Sequence, residues 1–199
     1  MAAYDFLVSL REQATDWCRG KNWWLRLPFL LFFGYVLVRH LADPLYSSIL
    51  GGLNLGIHEL GHIVFGFLGQ TMAVAGGTLL QLLAPAIGMV NFYRQDDFFS
   101  IALCFGWLST NLFSVATYAA DARRLELPLV TPFGGGEVIH DWEFLLSRWD
   151  ILQHDTLIAG IFRAGAVVSM AFCFIAGGWL LWIMATNRDA PFKPQSPTR

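Results

Sequence analysis

The stretch NLGIHELGHIVFGFLGQ, residues 54–70, places two histidines and a glutamate inside a run that is otherwise lipid-soluble. His58 and His62 are four residues apart, so a helix points both the same way, one turn apart. A charged group at the centre of a membrane helix costs roughly 2.5–3.5 kcal/mol on insertion scales. Ionisable groups in such a run therefore face a polar interior and mark function. Two imidazoles at this spacing can share one tetrahedral zinc ion. Glu59 stands beside the first, placed to take a proton from a water molecule; the whole is an HExxH pattern. Asn54, one turn earlier on the same stripe, is a candidate partner for a ligand or a substrate. The competing reading is a buried His/Glu hydrogen-bond network without metal.

Around this stretch the composition is that of a membrane protein. The chain has 199 residues, 55% hydrophobic, with 8 Trp and 17 Phe. Only 14% are charged, against about 25% in soluble domains. A net charge of −2 advertises no surface for nucleic acid. Cys18, Cys104 and Cys173 are too scattered for a disulfide framework or a CxxC metal site, and read as buried packing residues.

A membrane crossing needs about 20 mostly apolar residues. Runs of that kind lie at 23–41, 46–68, 72–92, 98–120 and 163–186. The fold class expected is therefore all-α: a polytopic membrane bundle of about five transmembrane helices. Residues 1–22 form an N-terminal amphipathic segment, with Phe6, Leu7, Leu10, Ala14 and Trp17 at helical spacing. Residues 23–186 form the integral membrane domain, and 187–199 a polar, Pro-rich, flexible tail. Within 121–155, the long polar segment, 134–136 are three glycines, a candidate gate for substrate access. DWEFLLSRWDIL after them predicts an amphipathic loop helix with Trp142, Leu145, Leu146, Trp149 and Leu152 on one face.

Five alternating spans put the N-terminus and 121–155 on one side, with Arg11, Arg19, Lys21, Arg26, Arg123, Arg124 and Arg148. Arg39, Arg94, Arg188, Lys193 and Arg199 fall on the other. The excess favours a cytoplasmic N-terminus in a multi-pass protein of an inner or plasma membrane.

HELGH within an apolar span resembles the site-2 protease family of intramembrane zinc metalloproteases, most of all its small bacterial members. Gly76-Gly77 is similar to the glycine-containing turn that the family places near its substrate. TNLFSVATYAADA, residues 110–122, is similar to the family's second signature, whose aspartate is the third zinc ligand and falls here on Asp121. The stretch departs from the signature: it has no proline, and alanines flank the aspartate. The resemblance covers residues 46–122. It implies a zinc metalloendopeptidase with Glu59 catalytic, His58, His62 and Asp121 on the metal, and a membrane-spanning protein as substrate.

Chain order is compatible with that set, since Asp121, His140 and Asp141 all lie in or beside the segment leaving the fourth span. Asn111, Ser114, Tyr118 and Asp121 form one polar stripe on that span. His140-Asp141 is the rival: either residue could ligate or orient water, although Asp141 is also a natural N-cap for the loop helix. His154-Asp155 reads as a loop-to-helix junction. Pro85 frees the carbonyl of Gln81, and with Thr78 nearby that kinked region is a candidate for binding extended substrate backbone. Two other classes share these residues: a zinc hydrolase of a lipid or lipid-linked amide, and a non-catalytic membrane metal-binding protein.

Overall fold

Helical periodicity is realised along the whole bundle, and no strand occurs among the described residues. The computed structural model describes residues 2–129 and 139–186. The glycines at 134–136 and the tail at 187–199 lie outside them. The helices are α1 (Ala2–Trp17), α2 (Leu27–Ala42), α3 (Gly51–Phe65), α4 (Gln70–Arg94), α5 (Phe98–Ala120), α6 (Asp141–Arg148) and α7 (Asp155–Thr186). Short 3-10 turns, Gly66–Leu68 and Leu152–His154, follow α3 and precede α7.

Three helices are long and apolar enough to cross a membrane: α4, α5, and α7 with the turn before it. Their exposed surface carries Leu83, Ile87, Val90, Ile161, Val168, Phe172 and Ile175, the side chains expected against acyl chains. α2 and α3 are apolar too, but only 16 and 15 residues long.

α5 and α7 form the antiparallel spine. Ser109 Oγ donates to the Ala166 carbonyl at 2.7 Å, and Ser169 Oγ to the Phe105 carbonyl at 2.8 Å. At one end of this pair Arg123 grips Asp155 through two nitrogens, at 2.7 and 2.8 Å. Asp155 is buried, so the guanidinium satisfies a carboxylate that water cannot reach. The loop-to-helix junction expected at His154-Asp155 is thus confirmed as the start of α7.

α2 packs along the same spine, with Leu30 against Gly177, Phe33 against Gly106 and His40 stacked on Phe113 at 4.7 Å. These rising pairs make α2 parallel to α5. α3 is parallel to α5 as well: Asn54 meets Trp107 and Thr110, and His58 lies 6.1 Å from the Tyr118 ring. Two successive helices running the same way require a return, and residues 43–50 provide it in non-helical form. Non-helical backbone at membrane depth must be satisfied within the protein. Here Leu45 N–H donates to Asp43, Leu50 N–H to Ser48 Oγ, and the Pro44 carbonyl accepts from Thr117.

This packing differs from the alternating order of helices expected from the sequence. α1 docks on the far end of α7, where Cys18 Sγ donates to the Leu180 carbonyl and Trp17 packs on Phe98. The N-terminal helix therefore lies at the opposite end of the spine from residues 121–129 and 139–154, because α3 follows α2 in parallel rather than alternating with it. The three cysteines are free and buried, as packing residues are.

The loop helix is shorter than its sequence pattern. α6 ends at Arg148, and Asp150 adopts a left-handed φ of 55°, which turns the chain. Trp142, Leu145 and Leu146 are buried, whereas Trp149 is exposed and Leu152 belongs to the next turn.

Candidate metal centre

α3 and α4 approach so closely that only glycine fits between them. A Cβ on Gly61 would strike the Gly76 backbone carbonyl. One on Gly77 would lie 2.6 Å from His58 Nε2 and 2.7 Å from His62 Cε1. The two histidines thus lie over a surface stripped of side chain. Here the Gly76-Gly77 pair belongs to the inside of helix α4 rather than to a turn.

The outer ring nitrogens are both anchored. His62 Nδ1 donates to the Ala73 carbonyl at 2.8 Å, and His58 Nδ1 faces Gln81 Oε1 at 3.0 Å. A carbonyl only accepts, so each Nδ1 carries a proton, and each Nε2 offers a lone pair to a cation or, when protonated as well, an N–H to a carboxylate. This is the arrangement by which a second partner fixes a metal-ligating imidazole. Gln81 thereby has a role that differs from its expected one: its side chain orients a histidine. Pro85 is buried within a continuous α4.

Asp141 completes the group. Its Oδ2 lies 2.8 Å from His58 Nε2 and 3.4 Å from His62 Nε2. With both Nδ1 atoms protonated, two lone pairs and a carboxylate oxygen converge on one point. Such a point repels itself unless a cation or added protons occupy it. Two imidazole nitrogens and one carboxylate form a donor set suited to a divalent ion, and these atoms lie within 4.8 Å of one another. The buried His58, His62 and Asp141 group could hold a metal ion. Burial works to raise the Asp141 carboxyl; where added protons rather than a cation occupy the point, the Nε2–H groups of His58 and His62 outweigh burial and hold the carboxyl below the usual carboxylate range.

Asp141 reaches the site because His140, not Asp141, is the N-cap of α6. His140 Nδ1 accepts the Glu143 N–H at 3.2 Å, leaving Asp141 as the first helical residue with its carboxylate free. The Asp141 N–H donates to Tyr118 Oη at 3.1 Å.

Asp121, the ligand that the resemblance implies, stands outside the group. Its two oxygens accept the backbone N–H groups of Glu126 and Leu127, each at 3.0 Å, closing the turn after α5. Its other neighbour is His140 Nε2 at 3.4 Å, an ion-pair separation without a formed hydrogen bond. Asp121 therefore supports the residue that caps the helix that carries Asp141.

The remaining candidates separate. Glu59 is half-buried on α3, and its side chain makes no hydrogen bond among the described residues. Asn54 is spent on structure, accepting from Trp107 Nε1 at 2.8 Å and reaching Thr110 at 3.4 Å. Asn111 is buried, donates to the Trp107 carbonyl, and keeps an unpartnered Oδ1. Ser114 is exposed and leaves the expected stripe. The residue undervalued by sequence reasoning is Tyr118, whose spacing on α5 gave it only a place in a polar row.

No family model, curated protein or solved structure matches the chain.

Proposed function

We propose that this chain is a zinc-dependent intramembrane peptidase, with His58, His62 and Asp141 as the metal ligands and Glu59 as the proton carrier. The observation that carries the reading is the convergence of two Nε2 atoms and one buried carboxylate, each imidazole anchored behind by an acceptor. A bound zinc ion supplies Lewis acidity toward the substrate carbonyl and the attacking water. Glu59 takes the proton of that water as its oxygen adds to the carbonyl carbon. Glu59 then delivers the proton to the leaving nitrogen as the C–N bond breaks, giving a carboxyl group and an amine. A membrane-spanning substrate must unwind locally, since a helical carbonyl is already hydrogen-bonded. The site lies at the α6 end of the bundle, where an extended segment can enter from the interface.

Of the five spans expected, α2 serves as a crossing beside α4, α5 and α7, while residues 43–65 form a re-entrant element that carries the histidines. The termini then share one side. By chain order that side holds Arg11, Arg19, Lys21, Arg26, Arg94, Arg188, Lys193 and Arg199, against Arg39, Arg123, Arg124 and Arg148 at the α6 end. The termini are cytoplasmic on this count, and the site opens on the opposite face of an inner or plasma membrane.

Elemental analysis of the protein purified in detergent tests the ligand set. One zinc per chain is expected for the wild type, Glu59→Gln and Asp121→Ala, and less than a tenth of that for His58→Ala, His62→Ala and Asp141→Ala. Glu59→Gln should retain zinc yet fail to cleave a single-span reporter protein that the wild type cuts. Zinc retained in Asp141→Ala but lost in Asp121→Ala would return the third ligand to Asp121. Offering a lipid-linked amide beside the reporter separates peptidase from lipid hydrolase.

A further inference from the structure

We propose that Tyr118 is a hydrogen-bond donor to the reacting carbonyl oxygen, a role that rests on the hydrolase reading above. A phenol can accept two hydrogen bonds and donate one. Tyr118 Oη already accepts the Asp141 N–H at 3.1 Å, on the residue whose carboxylate meets both histidines. Among the described residues nothing accepts the Tyr118 hydrogen, although the ring is half-buried. The ring is held on two sides, 4.3 Å from the His140 ring and 6.1 Å from the His58 ring, measured between centroids. A donor fixed beside a ligand set, with its one hydrogen unspent, is placed for an oxygen that gains negative charge as water adds to its carbon. Such preorganised donors strengthen as charge develops and need no reorganisation at the moment of reaction. The ligand class is a carbonyl oxygen next to the metal, in an amide or a compound that imitates one.

Tyr118→Phe tests this in the full chain, with zinc loading and acetohydroxamate binding as readouts beside cleavage of the single-span reporter. The variant keeps the ring against His140 and His58 and removes only the hydroxyl. Zinc per chain should remain at one, while acetohydroxamate should bind roughly 10–100-fold more weakly, the loss expected for one hydrogen bond to a charged group. The reporter kcat should fall by a similar factor, with KM little changed. Unaltered acetohydroxamate affinity at full zinc occupancy would overturn the donor role and leave the metal reading standing. Loss of zinc from Tyr118→Phe would also overturn it, making the hydroxyl a prop for Asp141. A wild type that binds neither zinc nor acetohydroxamate sinks the hydrolase reading itself.

Discussion

At the scale of single residues, the centre depends on what stands behind the ligands as much as on the ligands. Gln81 never touches the point where the Nε2 atoms converge, yet it sets the tautomer of His58. Gln81→Leu should weaken zinc affinity by about 10–100-fold, as loss of an outer partner does at other metal sites, with helix content unchanged. A competition titration against a chelator measures this, and an unchanged affinity would show that the ring is oriented by packing alone. Gly77→Ala is harsher, since the added methyl occupies space 2.6 Å from His58 Nε2. Backbone of α4 cannot yield while Gly61 and Gly76 are in contact, so this variant should lose zinc altogether. The HExxH spacing pairs two histidines with a glutamate; nothing in it announced Gln81, because the partner lies 23 residues away on another helix.

At the scale of elements, α6 is the part that brings Asp141 to the two histidines, and its N-cap is a histidine. Burial holds the His140 imidazole below its ordinary value near 6.5, with Asp121 partly offsetting the effect. Only neutral His140 can accept the Glu143 N–H through Nδ1. A folded value below the unfolded one means that the cap contributes fully above the ordinary imidazole range. Its contribution fades as the pH falls below that range toward the lowered folded value, because the unfolded chain binds the proton that the fold refuses. Amide exchange across α6 in the metal-free protein should therefore accelerate between pH 7 and pH 5, after correction for intrinsic rates. His140→Asn keeps an acceptor that does not titrate and should flatten the profile. An identical acceleration in both proteins would remove the cap from the explanation. The sequence offered Asp141 both as a natural N-cap and as a site residue; in the structure His140 caps α6 and the Asp141 carboxylate meets the two imidazoles instead.

At the scale of the whole molecule, the decisive feature is the parallel pair α2 and α3, joined by the return at 43–50. It separates the N-terminal helix from the α6 end by the length of the α5–α7 spine. Because the native cysteines are buried, single reporters at Gln13→Cys and Gln153→Cys, both exposed positions, can be read without background. A membrane-impermeant maleimide should label Gln153→Cys in intact spheroplasts and Gln13→Cys only after lysis. Labelling of both from one side would restore five alternating spans and refute the parallel arrangement.

The sequence by itself determined an all-helical chain with apolar spans, the pairing of His58 with His62, and Glu59 beside them. Each of these follows from local spacing or from the composition of one run, and a helix converts such spacing directly into geometry. The third member of the metal-capable group, the direction of α3 and the end of the spine on which α1 docks came only from tertiary structure. Asp121 and Asp141 are both acidic residues close to the same helix end, and spacing could not rank them. What ranks them is that the turn after α5 consumes the oxygens of Asp121, while the His140 cap leaves those of Asp141 free to face the histidines.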